Sequence, residues 1–396
     1  MEICVRSGDT IEYYSHLFTI PFELILDSNP SQIQTSLNAS EMINIPGFLV
    51  KPYIIKEGET ISKIATSRKL STDAILLLNQ DYRAEEIKVG DTILLPMRIT
   101  KPYFQTKSPC DSKKLGEYIT RLKKVYPFIN VFTVGTSVLG SPIQEIRIGK
   151  GKKIVHMNAS FHANEWITTM VLMSLVNNYL LSLTNGSPIR GEKSIQQYQD
   201  VQLSIVPMVN PDGVDLVLNG PPSLHHDEVI NMNEGSNDFV HWKANIRGVD
   251  LNRQFPANWE KVKNSNKHTN SPAPRDFPGS FSLSEPEAIA MAELAKNNFF
   301  DRLLAFHTQG KEFYWGYEGH EPNEAEEIAK EIERVSGYQA IRYVDSHAGY
   351  KDWYIQEFKR PGFTLEFGWG INPLPLSQFA EILKIAEKIF IVALTY

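Results

Sequence analysis

What this chain lacks limits the classes of protein to which it can belong. It has only two cysteines, Cys4 and Cys110, far apart in the sequence, so a disulfide-stabilised fold has little support. No uninterrupted apolar run of about 18 residues is present, so we expect no membrane span. The first residues also lack the apolar run of a secretory signal, so we expect no signal peptide.

A basic excess and several catalytic motifs are missing too. The net charge is −6, whereas nucleic-acid-binding proteins are normally basic, so we expect no nucleic-acid partner. There is no H-E-x-x-H, G-x-S-x-G or Walker loop, which leaves thermolysin-like, serine-hydrolase and nucleotide-driven chemistry without support. Hydrophobic residues make up 42% and charged residues 22% of the 396 residues. This composition is typical of a globular protein, and the length predicts roughly two or three domains.

The first hundred residues contain an internal repeat. The matching positions are a turn glycine, a helix-capping threonine and a helix-ending asparagine, in the pairs Gly8 and Gly58, Thr10 and Thr60, and Asn29 and Asn79. Each unit is predicted to be a strand, two helices and a closing strand. We therefore predict two modules, 1–48 and 49–99, followed by a proline-containing connector and a larger domain, 110–396.

Both units resemble the LysM module, which binds glycans that contain N-acetylglucosamine. The resemblance rests on the G-[DE]-T opening, the asparagine that ends the second helix, and the sequence G-D-T-I-L-L-P at 90–96. The first copy is degenerate, because residues 40–42 read S-E-M where residues 90–92 read G-D-T. The resemblance implies a glycan partner such as peptidoglycan. The alternative is a pair of small structural domains without a ligand.

Beyond residue 110, apolar strands alternate with longer helical patterns. Strands are predicted at 154–156, 201–207, 303–306 and 362–366, and helices at 113–126, 166–183, 285–298, 323–336 and 377–395. Strands separated by such helices predict an α/β fold with a mostly parallel mixed sheet flanked by helices.

Histidine and glutamate residues follow two of these strands. His162 and Glu165 stand three residues apart after the strand at 154–156, a spacing at which both side chains can bind one ion. Alone this pair is weak evidence, because short H-x-x-E sequences occur by chance. His307 ends the strand at 303–306, at the sheet edge where open α/β folds place their ligand sites. Two imidazoles and one carboxylate suit a catalytic zinc that keeps one position open for water.

Two further segments supply a proton carrier and groups that bind anions. Glu366 ends an apolar strand, where a carboxylate is costly unless it is paired or lies in a cleft. Beside a zinc-bound water, such a glutamate is suited to proton transfer. Arg247, Asn252 and Arg253 lie close together in the sequence and suit a bound carboxylate or an oxyanion. The segment 225–228, H-H-D-E, is predicted to lie in a loop that begins at Gly220, and it is a less favoured metal site because adjacent histidines rarely bind the same ion.

The ordered motifs resemble the zinc carboxypeptidase family, carboxypeptidase A-like. They are H-x-x-E, then N-P-D-G at 210–213, G-V-D-L-N-R at 248–253, a strand-end histidine, D-W at 352–353 and a distal T-L-E. The resemblance implies a zinc peptidase with one zinc held by His162, Glu165 and His307. It also implies that Glu366 is the general base and acid, and that Asn252 and Arg253 bind a substrate carboxylate.

The chain departs from this family at three positions of the site. The family's oxyanion arginine often follows a tryptophan directly, but here Lys243 does so, and we predict Arg247 for the role because arginine offers a planar, permanently charged fork. The mobile active-site tyrosine of the digestive enzymes has no clear counterpart here. We predict that Tyr350 takes its role in substrate binding, with Tyr343 as an alternative. Lys351 stands at the position that selects the substrate side chain, which implies an acidic group on the substrate.

Glycan-binding modules ahead of such a peptidase resemble the organisation of bacterial γ-D-glutamyl-diamino acid endopeptidases. This resemblance implies a zinc-dependent peptidoglycan hydrolase that cleaves murein stem peptides. The alternatives are a metallocarboxypeptidase that removes C-terminal residues and a non-catalytic wall or spore-coat binding protein. We expect a bacterial protein that is made in the cytoplasm of a sporulating cell and associates with the wall or the spore.

Overall fold

Two small units of the same order form the N-terminal part of the chain. The computed structural model describes residues 1–30, 37–82, 88–103, 108–265 and 267–396. The first unit contains β1 (Glu2–Cys4), α1 (Ile11–Phe18), α2 (Phe22–Asp27) and β2 (Met42–Asn44). The second contains β3 (Phe48–Ile54), α3 (Ile61–Ser67), α4 (Thr72–Leu76) and β4 (Thr92–Arg98). In each unit the two strands pair antiparallel.

The repeated threonines cap equivalent helices. Thr10 precedes α1 and its side chain accepts a hydrogen bond from Tyr13 N at 3.1 Å, while Thr60 precedes α3 and accepts one from Lys63 N at 3.2 Å. Each cap satisfies a backbone donor that the helix cannot satisfy internally. The repeat therefore begins each first helix by the same local mechanism.

The repeated asparagines join the second helix to the closing strand. Asn79 Nδ2 donates to Leu94 O at 2.8 Å, and its Oδ1 accepts from Leu94 N at 2.8 Å. Asn29 makes the same pair of bonds to Asn44, at 2.9 and 2.7 Å. Both amides are buried, so these bonds replace water around strand backbone groups that would otherwise be unpaired.

A polar contact connects the two units. The Arg6 guanidinium binds Asp73 through two parallel bonds of 2.7 and 2.8 Å, and Tyr13 Oη donates to the same carboxylate. Gln80 Nε2 donates to Cys4 O at 2.9 Å. Bidentate pairing of an arginine with a carboxylate fixes orientation as well as distance, so the two repeated units are held in one arrangement.

The larger domain is built on an eight-stranded mixed sheet in the order β11-β10-β12-β9-β7-β8-β6-β5. The strands are β5 (Asn130–Thr136), β6 (Pro142–Ile148), β7 (Lys153–Ala159), β8 (Val201–Val206), β9 (Arg302–His307), β10 (Glu312–Tyr314), β11 (Gln339–Ile341) and β12 (Gly362–Glu366). The central strands β8, β7, β9 and β12 run parallel, whereas β6 and β10 pair antiparallel with their neighbours β8 and β12. The predicted mostly parallel mixed sheet is confirmed.

Ten helices of the described chain accompany this sheet. They are α5 (Ser112–Val125), α6 (Ile167–Asn185), α7 (Ser194–Asp200), α8 (Pro211–Asn219), α9 (His226–Met232), α10 (Trp259–Lys263), α11 (Pro286–Asn298), α12 (Asn323–Ser336), α13 (Tyr350–Phe358) and α14 (Phe379–Thr395). The five predicted helices are present within about two residues at each end. The segment 225–228 opens α9 rather than lying in a loop.

The helix within 163–185 is long and apolar enough to cross a membrane by length and composition alone. However, 89% of its most apolar stretch is buried inside the protein, which is the environment of a core helix. It follows β7 directly, and its burial on all sides explains why it shows no polar face.

By internal contacts the whole chain divides into two compact parts, which are not the same as the two repeated units. One comprises Met1–Tyr103, Ile119–Asn130 and Asn177–Ile195, and the other Phe104–Tyr118, Val131–Val176 and Gln196–Tyr396. The four central strands of the sheet and the site residues at their carboxyl ends belong to the second of these parts. The domain boundaries predicted at 48, 99 and 110 stay predictions.

Candidate active site and metal centre

The carboxyl ends of the parallel strands bring distant residues to one edge of the sheet. β9 and β12 pair so that His307 lies opposite Glu366. β7 pairs with β9 on the other side, and the chain leaves β7 into a short 3-10 turn, Ala163–Glu165, that begins immediately after His162. The sheet topology therefore assembles four residues that are spread over two hundred positions of sequence.

His162, Glu165 and His307 form one buried group whose ligand atoms lie within 4.8 Å of one another. Nδ1 of His162 is 2.8 Å from one carboxylate oxygen of Glu165, and Nδ1 of His307 is 2.9 Å from the other. The two ring nitrogens are only 3.2 Å apart. Two imidazole nitrogens and a carboxylate directed at one point match the donor set that zinc prefers.

The charge of this group is consistent with a cation site. Burial favours the neutral form of Glu165, but the neighbouring histidines outweigh this effect and lower its pKa to about 2. Zinc ligands must be deprotonated carboxylates and neutral imidazoles, and Glu165 meets this requirement. Burial lowers the pKa of His307, but its pairing with Glu165 raises that pKa above the usual value, so a metal ion would have to displace a proton from this ring.

Outer residues contact two of the three ligands, His162 and Glu165. Asp250 is fully buried and lies 3.3 Å from Nε2 of His162, and its second oxygen lies 2.8 Å from the ammonium of Lys243. Burial raises the pKa of Asp250, but Lys243 and His162 hold it well below its usual range. Asn372 donates to Glu165 at 3.4 Å. A carboxylate behind a metal-binding histidine fixes the ring orientation and the tautomer.

Glu366 completes the centre. Burial raises the pKa of Glu366 to about 8, with His307 lowering it and the carboxylate of Glu165 raising it further. A divalent cation held beside Glu366 would lower this pKa again. A carboxyl group balanced in this way can accept and return a proton near neutral pH.

The centre opens into a cleft of about 500 Å³. The predicted site residues that line it are His162, Glu165, Asn252, Arg253, Lys351 and Glu366. His307 is buried beside His162 and Glu165. Lining residues to which the sequence analysis assigned no role include Lys243, Tyr314, Thr364 and Asn372.

The structure does not bring Arg247 to this cleft. Its side chain is 55% exposed and lies 3.6 Å from Glu285. The turn in which it stands is closed by hydrogen bonds from Gly248 N to Asn245 O and from Asn245 N to Val249 O. Arg247 is therefore directed outward, and the prediction that it stabilises the oxyanion has no geometric support.

The cleft is lined by a different cation, Lys243. Its ammonium is fixed by Asp250, and it is one of the charges that lower the pKa of Glu366. The available signal was its position directly after Trp242, which is where the family often carries its arginine. The preference for a guanidinium obscured that signal.

Tyr350 does not line the cleft either. It is fully buried at the start of α13, its ring contacts Phe161 and Phe255, and its hydroxyl donates to Met291 O at 3.3 Å. The alternative Tyr343 is 52% exposed, and its hydroxyl donates to the buried carboxylate of Glu321. Among the described residues that line the cleft, Tyr314 contributes the phenol.

The remaining predicted residues meet on one side of the cleft. Nη1 of Arg253 donates to Ser346 Oγ at 2.5 Å and to the backbone of the following residue, which fixes the guanidinium at the wall. Asn252 is oriented by accepting from Tyr350 N at 3.0 Å. Lys351 is buried, with its ammonium 2.6 Å from Asp352 and 2.9 Å from Gly316 O.

Comparison with known proteins agrees with this geometry. Residues 115–373, more than half of the chain, match the family model described as zinc carboxypeptidase, and residues 53–96 match the LysM domain model. The chain belongs to the zinc carboxypeptidase family. It is a zinc metallopeptidase with an N-terminal LysM domain, as the resemblance implied. The first copy of the repeat, 1–48, remains a prediction as a LysM-like module.

Two bacterial relatives are similar over nearly the whole chain. Gamma-D-glutamyl-L-diamino acid endopeptidase 1 of Lysinibacillus sphaericus is 46% identical over 396 residues, covering 100% of both chains. The uncharacterized protein YqgT of Bacillus subtilis (strain 168) is 39% identical, covering 96% of this chain and 95% of its own.

Solved structures share the fold at low identity. Thrombin activatable fibrinolysis inhibitor superposes with a TM-score of 0.58 at 18% identity, covering 73% of this chain and 77% of its own. Carboxypeptidase A from Helicoverpa armigera superposes with a TM-score of 0.55 at 20% identity, covering 73% of each chain. These structures confirm the carboxypeptidase-like fold.

Proposed function

We propose that this zinc metallopeptidase hydrolyses the γ-D-glutamyl–diamino acid bond in the peptide stems of peptidoglycan. Full-length similarity to a γ-D-glutamyl-L-diamino acid endopeptidase supports this substrate class. A LysM domain in the same chain supports a substrate that is attached to glycan. The observation that carries the proposal is the cleft itself, where cationic side chains stand beside a zinc-type ligand set and a proton-accepting glutamate.

The charges of the cleft suit a stem peptide. Such a peptide carries several carboxylates, and the Arg253 guanidinium can bind one of them through two parallel hydrogen bonds. Lys351 and Asp352 place a cation and an anion together in the cleft wall. A diamino acid has a second amino group, for which the Asp352 carboxylate is a suitable acceptor. Tyr314 and Thr364 add hydroxyl groups to the same wall.

The proposed mechanism assigns one task to each residue. When bound by His162, Glu165 and His307, zinc supplies a Lewis acid for the scissile carbonyl and for a water molecule. Glu366 takes a proton from the attacking water and later donates it to the departing amine. The ammonium of Lys243, held in place by Asp250, stabilises the negative charge that develops on the carbonyl oxygen.

Digestion of a defined stem tetrapeptide, L-Ala-γ-D-Glu-diamino acid-D-Ala, tests this function. We expect mass spectrometry to identify two dipeptides, with cleavage between D-glutamate and the diamino acid. Release of D-alanine alone would instead support the metallocarboxypeptidase alternative. Glu366→Gln is the matched inactive control. If the purified wild-type protein contained no zinc and digested cell wall no better than this variant, the result would support a non-catalytic binding protein.

The location of the enzyme is a further part of the proposal. A glycan-binding peptidase that acts on the wall suits a protein made in the cytoplasm of a sporulating cell and associated with the wall or the spore. Immunolocalisation across sporulation is the measurement. Signal at the developing spore is expected, and confinement to the vegetative cytosol would contradict this part.

A further inference from the structure

The loop after Glu366 presents two exposed apolar side chains at the border of the cleft. Trp369 is 66% exposed and Ile371 is 78% exposed. Ile371 and the next residue, Asn372, line the cleft, so this apolar surface continues directly from the active site. Single exposed apolar side chains are common on protein surfaces, but a group of them that adjoins a cleft is typical of a ligand-binding site.

The backbone beneath Trp369 is fixed. Gln378 accepts a hydrogen bond from Trp369 N at 3.0 Å and donates one to Trp369 O at 2.7 Å. Gly370 N donates to Gln309 Oε1 at 3.2 Å. A side chain presented by a rigid backbone loses little conformational entropy when a ligand covers it, which favours binding.

Hydrogen bonds join this surface to the metal ligands. The amide of Asn372 reaches Glu165, and it also donates to Thr308 O at 2.9 Å. His162 lies against Asp250, whose carboxylate accepts from Asn252 N at 3.1 Å. Asn372 is therefore joined to the metal ligands through Glu165, whereas the pair Asn252–Arg253 is joined to them through Asp250 and His162.

This arrangement decides which part of the substrate passes the exposed loop. In the proposed function Asp352, which is paired with Lys351 in the cleft wall, accepts the second amino group of the diamino acid, and this residue is the amine side of the scissile bond. The acyl side then leaves the cleft past Asn372 and reaches Ile371 and Trp369. In a peptidoglycan stem, the acyl side is D-glutamate and L-alanine, followed by the muramyl sugar to which the stem is attached.

We propose that Trp369 and Ile371 form a saccharide subsite that binds the sugar at the head of the stem peptide, an inference that rests on the proposed function. The C–H face of a pyranose packs on an indole ring, which is a large, rigid and flat apolar surface. The LysM domain of the same chain favours a substrate that is still attached to its glycan. A sugar-binding surface at this end of the cleft would add binding energy for such a substrate.

Steady-state kinetics with two matched substrates tests the subsite. One is the disaccharide tetrapeptide, N-acetylglucosaminyl-N-acetylmuramyl-tetrapeptide, and the other is the same tetrapeptide without sugar. We expect Trp369→Ala to lower kcat/KM about 10-fold on the disaccharide tetrapeptide, mainly through KM, and less than about 2-fold on the free tetrapeptide. Trp369→Phe, which keeps an aromatic ring, should retain most of the wild-type value.

The control separates this subsite from other exposed apolar residues and from the LysM domain. Phe299 is 71% exposed at the C-terminal end of α11, and Phe299→Ala should leave both substrates unaffected. All variants keep the LysM domain, so glycan binding there does not alter the comparison. Equal losses on both substrates, or no loss on the disaccharide tetrapeptide, would overturn the subsite. Failure of the wild type to cleave either substrate would overturn the proposed function and the subsite with it.

Discussion

Polar side chains hold together the two repeated units and also form the cleft, but in opposite ways. In the units they pair with one another: Asn79 closes on a strand backbone, and Arg6 closes on Asp73. In the cleft, Nδ1 of His162 and of His307 are directed at the same point. The first arrangement completes the hydrogen bonding of the fold, while the second leaves donors and acceptors directed at a ligand. Substitutions in the two regions should therefore affect different properties.

The largest effect is expected at Glu366. Glu366→Gln should lower kcat on the stem tetrapeptide about 10³-fold, because the amide cannot accept the proton of water. Zinc content and folded stability should be preserved, since the substitution removes a buried acid and no predicted ligand. The measurements are kcat, metal analysis and thermal unfolding.

Glu312 provides the matched control, because it lies opposite Glu366 in the antiparallel pair of β10 and β12. Glu312→Gln should lower activity less than about 10-fold, as expected for a residue that acts only through its neighbours. A similar loss in both variants would mean that Glu366 is not the proton carrier.

The next effect distinguishes Lys243 from Arg247. Lys243→Met should lower kcat/KM about 10²-fold, because the transition state loses a positioned cation. Lys243→Arg should recover part of that loss. Arg247→Met should change kcat/KM less than about 2-fold, since its side chain is 55% exposed and lies away from the cleft.

Comparison of these three variants on the free tetrapeptide decides between the two cations. A large loss in Arg247→Met together with normal activity in Lys243→Met would reverse the assignment and would require the turn at 245–249 to rearrange when substrate binds.

The metal group could be predicted from sequence for a topological reason. His307 and Glu366 each end a strand, and parallel strands place their carboxyl ends at one edge of a sheet. His162 and Glu165 follow a third such strand. No detailed packing was needed to infer that these residues meet, because strand order and direction already bring them together.

The residues that escaped prediction depend on tertiary contacts. Arg247 turns outward because Asn245 closes its turn and binds Glu285, forty residues away. Tyr350 belongs to α13, a helix whose first six residues are all buried and which therefore shows no amphipathic pattern. Tyr314 lies in β10, a strand of three residues that is too short to show alternation. Each depends on neighbours that local sequence does not reveal.

Within the repeat, Asn79→Ala should affect stability and leave catalysis intact. The change leaves the backbone N and O of Leu94 without their partner, which should cost about 2 kcal/mol in the second unit. Hydrogen exchange at Leu94 should become faster, while kcat/KM on the free tetrapeptide should not change.

Asn29→Ala is the matched change in the first unit, because Asn29 makes the same two bonds to Asn44. Similar losses of local stability are expected in the two units. A fall in tetrapeptide hydrolysis in either variant would contradict the separation between the repeat and the cleft.

The smallest effect concerns the turn at which the two copies differ. Gly90 has a φ of +93°, and Ser40, at the equivalent position, has a φ of +73°. The first copy has thus kept the left-handed turn although it lacks the glycine that adopts this turn without strain.

Ser40→Gly should stabilise the first unit by about 0.5 kcal/mol, because relief of strain exceeds the added flexibility of the unfolded chain. Gly90→Ser should destabilise the second unit by a similar amount, since an added Cβ there meets no atom within 4 Å and only the backbone conformation is strained. Hydrogen exchange is the measurement: it should become slower in the first unit of Ser40→Gly and faster in the second unit of Gly90→Ser. Changes in the same direction would show that the two turns are not equivalent.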